Sequence, residues 1–248
     1  MLEVVKVVKS FYGLRALDSV NLKVEKGSMV GLIGPNGSGK TTLFNVISGV
    51  YKPDEGEIYL NGEKIAGLTP HEICGKGLGR SFQQPRLFKE MTVLENIMVS
   101  ARSQKGESLS KALTRSWLEE EARLAKKAFS ILKFLQLERL AFNPASNISA
   151  GQARLLEIAK VLMGDPQIAL LDEPTGGVAP RLSEKIFDYI RKINREFGVT
   201  FLIIEHKLGV LFDYVDYVYL MGRGKIVLEG KPEEVAKSST ALEVYFGG

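Results

Sequence analysis

The sequence predicts an α/β protein with a mainly parallel sheet and an inserted helical lobe, on three observations. Short apolar runs at Met29–Ile33, residues 168–171 and Thr200–Ile204 have the length of strands buried on both faces. Segments with helical spacing stand between them, and parallel strands are joined in that way. From about residue 90 to residue 150 the strand pattern lapses and only helical spacing remains.

The elements follow in order. Residues 3–8 and 22–24 read as short strands, with a turn at Glu25, Lys26 and Gly27. The run Met29–Ile33 ends at Gly34, and Leu43, Phe44 and Ile47 then fall at helical spacing until Gly49 stops them. Residues 53–62 read as a hairpin region, with turn signals at Pro53–Gly56 in sequence and at Asn61-Gly62. Thr69, Pro70 and Glu72 form a capping box with proline at the first helical position, so a short helix starts there and fails across residues 75–79. The polar, Ser-, Lys- and Gly-rich residues 101–111 read as a surface loop. Leu124, Ala128, Ile131, Leu132 and Leu135 then mark one face of a helix. After Gly151 comes another helix, followed by the strand at 168–171, the helix Pro180–Phe197 and the strand Thr200–Ile204. Residues 215–221 and 225–229 read as a hairpin around Gly222, Arg223 and Gly224.

Composition narrows the function. The 248 residues suffice for one large domain, and 45% hydrophobic with 25% charged residues is ordinary for a globular protein. The net charge of +4 comes from 33 basic and 29 acidic residues, a mixed-sign solvated surface, so no nucleic-acid partner is expected. Cys74 is the single cysteine, and His71 and His206 are the only histidines. An intramolecular disulfide, a cysteine cluster and a histidine-rich zinc site are therefore excluded. No stretch approaches the ~18 apolar residues of a membrane span, and the first residues lack the layout of a signal peptide. The chain is expected in the cytosol, with any membrane role supplied through a partner.

Residues 34–41, GPNGSGKT, match the phosphate-loop pattern at every fixed position and have its context, a buried strand before and a helix after. The glycines let amides turn inward on a phosphate without a clashing Cβ. Lys40 reaches the β- and γ-phosphate oxygens, Thr41 places its hydroxyl on Mg²⁺, and the helix directs its positive end at the anion. Asn36, Gly37, Ser38, Gly39, Lys40, Thr41 and Thr42 are thus the expected ATP-binding residues.

A bound Mg-nucleotide also needs a carboxylate for the metal and a group to activate water. Asp172 and Glu173 close the apolar run at 168–171, at the edge where parallel sheets bind ligands. Asp172 is expected on Mg²⁺ and Glu173 on the attacking water. His206 follows the strand Thr200–Ile204 in the same topological position and is expected on the γ-phosphate. His71, on the short capped helix, reads as plain surface.

At this point the residues resemble the ATPase subunit of ATP-binding cassette (ABC) transporters. The carrier is Asn147-Ile-Ser-Ala-Gly-Gln152, which is similar to that family's signature, set between the phosphate loop and Asp172-Glu173. The resemblance covers essentially the whole chain. It implies a phosphate-loop NTPase core with an N-terminal antiparallel β subdomain, residues 1–89 and 150–248, and a helical signature lobe, residues 90–149, within one domain. It also implies a head-to-tail dimer, with a second copy or a homologous ATPase chain, around two ATP molecules. Ser149, Gly151 and Gln152 would then face the γ-phosphate held by the other chain. Gln83 matches the glutamine that reports on Mg²⁺ and water, and Phe11 takes the place of the aromatic that stacks on adenine, with Tyr12 as the alternative.

Two positions depart from the family pattern. Ala150 replaces a signature glycine, at a cost of roughly 1–2 kcal/mol if the backbone there needs positive φ and little otherwise. Ala179 stands where the family commonly has an aspartate that contacts the opposite chain. Residues 80–88 and 91–96 look like the importer branch that handles branched-chain amino acids, and the closing residues 226–234 and the polar insertion suit it. That branch implies integral membrane subunits docking near Arg86, Leu87 and Phe88, a location on the cytoplasmic face of the membrane, and a substrate-binding protein as an indirect partner. The alternative is a soluble, non-transport ABC ATPase such as an iron–sulfur cluster assembly factor. A chromosome-structure ATPase would need a long coiled coil, and a non-hydrolysing module would lack Lys40 or Glu173.

Overall fold

The structure is a computed structural model that describes residues 1–102 and 116–246. Most of the segment read as a polar surface loop therefore lies outside the described residues. In chain order the strands are β1 (Leu2–Phe11), β2 (Leu14–Val24), β3 (Met29–Ile33), β4 (Glu55–Leu60), β5 (Glu63–Lys64), β6 (Leu78–Arg80), β7 (Ile168–Asp172), β8 (Thr200–Ile204), β9 (Tyr217–Gly222) and β10 (Lys225–Gly230). The helices that matter to the site are α1 (Lys40–Ile47), α2 (Pro70–Gly75), α3 (Val93–Met98), α4 (Ser116–Phe134), α5 (Ala150–Met163) and α6 (Pro180–Phe197).

A six-stranded sheet has the order β10-β9-β3-β8-β7-β6, and a four-stranded sheet the order β2-β1-β4-β5. In the larger sheet every pairing from β9 to β6 is parallel, and β10 alone runs antiparallel at the edge. The smaller sheet is antiparallel throughout. Strands β3, β7 and β8 are buried at every residue, because both faces of the sheet are covered.

Period-two alternation divides these strands between two cores. Ile168, Leu170, Leu202 and Ile204 pack with Leu43, Phe44 and the smaller sheet. Ala169, Leu171, Phe201 and Ile203 pack with Ile186, Phe187 and Ile190 of α6, and that core continues into α4 and α5. On α4, Leu124, Ala128 and Leu132 are buried as their spacing predicts, as is Leu135 just past its end, and Ile131 is half-buried.

Strands β1 and β2 are longer than the sequence pattern suggests. Lys6 and Ser19 take left-handed φ of 47° and 55°, and the β1–β2 register shifts between Val4 and Val7. These bulges interrupt the alternation that a strand is recognised by. The capping box at Thr69 is present, its Oγ1 accepting from the Glu72 amide and its amide donating to Glu72 Oε2 at 2.8 Å. Strand β6 was not anticipated. Its Gly79 lies so close to α5 that a Cβ there would meet Val161 Cγ1 at 2.8 Å.

Helix α6 starts at Pro180, with Ala179 in the N-cap position, extended at φ −64° and ψ 151°, and no side-chain cap. An N-terminal turn without a cap forgoes about 1 kcal/mol. The exposed substitution Ala179→Asp should therefore raise the urea midpoint of the isolated chain by about that amount of stability. A midpoint at or below the parent's would show that those amides are satisfied otherwise.

Candidate nucleotide site

Four adjacent strands deliver the site. Strand β3 runs into Gly34, β6 into Ser81, β7 into Asp172 and Glu173, and β8 into Glu205 and His206. Since the strands are parallel, all four arrive at one edge of the sheet.

The loop after β3 is held by close backbone approach. A Cβ on Gly34 would stand 2.3 Å from the Met221 carbonyl oxygen, and one on Gly39, at φ 106°, would stand 2.7 Å from that of Ala16. The Gly224 amide donates to Ser38 O at 2.9 Å, so the tip of the β9–β10 hairpin is bonded to the loop. Gly39 caps α1, whose first turn has neither a side-chain cap nor an acidic residue. Its positive end is thereby left to the loop side. Lys40 is buried, and its ammonium donates to the Gly34 and Pro35 carbonyls, both at 2.8 Å. Burial lowers its pKa, while the charges of Glu173 and Asp172 act the other way.

Across the loop, Glu173 sits at a left-handed φ of 49°, its amide bonded to Ile204 O at 2.9 Å. Its Oε1 accepts from Gln83 Nε2 at 3.0 Å and lies 3.1 Å from His206 Nε2. Asp172 is buried, with its amide donating to Ser81 Oγ at 3.2 Å. Its Oδ1 has no hydrogen-bond partner among the described residues. Burial raises the Asp172 pKa above the ordinary 3.8, and the Arg80 guanidinium offsets part of this. Arg80 is itself held by Ser48 Oγ at 2.6 Å.

An open cleft of about 440 Å³ joins these groups; Asn36, Gly37, Gly39, Lys40, Thr41, Thr42, Gln83, Glu173 and His206 all line it. Ser38 stands beside Lys40 at 3.4 Å, and Asp172 adjoins Glu173 in the chain. Leu14, Arg15, Ala16, Arg223 and Gly224 complete the wall. Phe11 is not in it, because its ring packs edge-on against Tyr51 with centroids 5.1 Å apart. Tyr12 is fully exposed at the β1–β2 turn.

Ser149, Gly151 and Gln152 also lie away from this cleft, at the start of α5. Ser149 Oγ accepts from the Gln152 amide at 3.3 Å, and Gln152 Oε1 accepts from the Ser149 amide at 2.8 Å. Ala150 is the first helical residue, not one at positive φ, so alanine costs little there. At Gly151 a Cβ would stand 2.1 Å from Leu182 Cδ2, so glycine brings α5 against the first turn of α6. Arg154 ties the same helix to the site, donating to Gly176 O at 2.9 Å and to Gln83 O. His71 is exposed on α2. Sequence reasoning missed Ser81, Arg80, Arg154 and Glu205. The charged pair Glu205-His206 directly after a buried strand was the one signal that pointed to Glu205.

A phosphate loop facing a carboxylate, a glutamine and a histidine, at the carboxyl edge of a parallel sheet, defines a phosphate-loop ATPase. The family described as ABC transporter matches residues 17–176. The chain belongs to that family and is an ATP-binding, ATP-hydrolysing ABC subunit. It is similar to the probable branched-chain amino acid transport ATP-binding protein LivG of Archaeoglobus fulgidus, 42% identical over 247 residues, 100% of this chain and 95% of that protein. It is 37% identical to the high-affinity branched-chain amino acid transport ATP-binding protein BraF of Pseudomonas aeruginosa, covering 100% of this chain and 98% of the other. Among solved structures, a nucleotide-free ATP-binding cassette from an ABC transporter superposes with a TM-score of 0.88 at 40% identity, covering 100% of this chain and 99% of that one. A cassette in its ADP conformation gives 0.87 at 39% identity, with the same coverage.

The raised pKa of Asp172 has a consequence for stability. Proton binding is favoured in the folded state, so the stabilisation is present below the ordinary carboxylate value and is lost as the pH rises through the raised one. Without metal or nucleotide, Asp172→Asn should thus melt a few degrees above the parent at pH 7, on the scale of roughly 2–4 °C per kcal/mol. That difference should shrink as the pH falls toward 4. A variant that melts below the parent at pH 7 would show that burial is not the dominant influence.

Proposed function

We propose that this chain powers the uptake of branched-chain amino acids, closing on a second copy around two ATP molecules and moving membrane subunits as it does so. The observation that carries the reading is the meeting of Lys40, Gln83, Glu173 and His206 on one cleft. The relatives named for branched-chain amino acid transport, matched over the whole chain, support the substrate class over a non-transport ATPase. Cassettes that are similar over most of this chain and are described as dimeric support the pairing. No helix among the described residues is long and apolar enough to cross a membrane, which agrees with a peripheral place on the cytoplasmic face.

In this reading the amides of residues 36–42 and the Lys40 ammonium hold the β- and γ-phosphates. Glu173 takes a proton from water as its oxygen attacks the γ-phosphorus, the bond from that phosphorus to the bridging oxygen breaks, and ADP leaves with the bridging oxygen. His206 contacts the γ-phosphate, and Gln83 orients the water through Glu173. The site fits Mg²⁺: the Asp172 carboxylate, the Thr41 hydroxyl and the Gln83 amide oxygen are hard ligands, and Asp172 Oδ1 is buried without a partner among the described residues. When bound, the ion supplies neutralisation of the phosphate oxygens. The adenine stacks on Phe11 or on Tyr12, whose ring is fully exposed and which precedes Leu14 of the cleft wall by two residues in the chain. Ser149, Gly151 and Gln152 meet the γ-phosphate of the second copy, carried by the helical lobe at residues 90–149 and the helix after it.

Phe88, 54% exposed, belongs to the surface offered to the membrane subunits. Its backbone is tied to α3, the Phe88 amide donating to Asn96 Oδ1 at 2.8 Å and the Asn96 side-chain amide donating to Phe88 O at 2.9 Å.

Two outcomes test the reading. Glu173→Gln should lower the hydrolysis rate by about 10²–10⁴-fold while the ATP-bound dimer accumulates, as read by light scattering; a monomer with undiminished turnover would refute it. Phe88→Asp should leave the chain's own ATPase rate unchanged yet abolish co-purification with the membrane subunits. Intact assembly would move the docking surface elsewhere.

A further inference from the structure

Glu205 and Lys207 flank the γ-phosphate histidine, and neither has a part in the chemistry described above. Glu205 is buried, 2% exposed, immediately after β8. Its Oε1 accepts from the Thr175 amide at 2.9 Å and from the Thr175 hydroxyl. Its Oε2 accepts from the amides of His206 at 2.9 Å and Lys207 at 3.3 Å. A buried carboxylate with four donors is fixed in place. The Lys207 ammonium has three donors, and all reach the segment that follows Glu173: Thr175 O at 3.2 Å, Val178 O at 2.7 Å and Ser183 Oγ at 2.9 Å. The backbone that carries His206 is thereby bolted to residues 175–183 from both sides.

That segment has a second attachment. Leu182, in the first turn of α6, packs on Gly151 so closely that a Cβ there would stand 2.1 Å from Leu182 Cδ2. Gly151 lies in the first turn of α5, whose N-cap is Ser149. The connection thus runs from His206 through its neighbours Glu205 and Lys207, from Lys207 to Ser183, along the chain to Leu182, across to Gly151 and on to Ser149.

We infer that Glu205 and Lys207 are positioning residues that make the His206 loop and the start of α5 move as one body. A γ-phosphate contact at His206 in one half-site then biases the placement of Ser149 in the half-site completed by the same chain's α5. This route consists of the polar contacts of Glu205 and Lys207 and the packing of Leu182 on Gly151, and none of them needs a side chain at position 179 beyond alanine. The inference rests on the dimer of the proposed function, and coupling between sites of this kind is a difference in free energy that a double-mutant cycle reads.

The test uses the full chain in the Glu173→Gln background, with Mg-ATP and sedimentation to measure dimerisation. Adding Lys207→Met removes the three donors and should weaken the ATP-dependent dimer by about tenfold, a coupling of ordinary size. ATP affinity, measured at protein concentrations below dimerisation, should stay within about twofold, because the Lys207 ammonium bonds Thr175, Val178 and Ser183 and none of the residues that line the cleft. The losses from Lys207→Met and His206→Ala should be less than multiplicative in the double variant. Glu205→Gln, which turns an amide group toward two backbone donors, should reproduce the effect on the dimer. A purely structural clamp would lower the melting temperature but leave the dimerisation of folded protein as in the parent, and that result, or multiplicative losses, overturns the inference. If the Glu173→Gln chain itself forms no dimer with ATP, the proposed function fails and this coupling fails with it.

Discussion

A parallel sheet covered on both faces can present polar chemistry only where its strands end. In this protein β3, β7 and β8 are buried at every residue, and all their side chains but that of Asp172, the last residue of β7, are apolar, small or core-facing and serve the packing of the sheet. Everything that can touch a phosphate comes in the first residues beyond them. Because the strands are parallel neighbours, those residues converge without any long-range steering by loops. The hydrophobic alternation that stabilises the sheet and the geometry of the cleft are two results of one register. A slip of one residue would exchange the two cores and carry Asp172 away from the phosphate loop.

Charge in this site is held at a cost. Asp172, Lys40 and Arg80 all have pKa values displaced in the direction of their neutral forms, with burial as the largest cause. Their mutual attraction offsets part of that desolvation. Glu173 adds a left-handed backbone in a non-glycine residue. Desolvated cation and strained backbone line one cleft, the buried Asp172 carboxylate is next to it in the chain, and the surrounding cores must hold them.

Much of this was legible in the sequence, for identifiable reasons. The phosphate loop, Asp172-Glu173 and His206 are each short polar statements after an apolar run, and the runs themselves mark the strands. Helix α6 and strand β8 were bounded to the residue because proline and glycine punctuate them. Strand β6 was hidden, since three residues among Gly75, Gly77 and Gly79 carry no β pattern and Gly79 is there to admit Val161. Bulges at Lys6 and Ser19 shortened the apparent β1 and β2. Phe11 and Tyr12 could not be separated by spacing, and the structure turns Phe11 onto Tyr51. The bonds of Arg154 and Ser81, and those of Glu205 to Thr175, join residues far apart in the chain, so no local pattern shows them.

The β9–β10 turn looks like a place where the chain could be cut, lengthened or fused to something else, since exposed two-residue hairpin tips usually accept insertions. Here the tip is part of the bearing surface. Gly224 donates to Ser38 O and accepts from the Asp18 amide, both at 2.9 Å, and a Cβ on it would stand 2.8 Å from Ala16 O. An added residue would have to lift the tip from the phosphate loop and open the seam between the two sheets together. Homologous chains that vary freely in length elsewhere on their surface are therefore expected to keep this turn at its present length, and a tag or reporter belongs at another site.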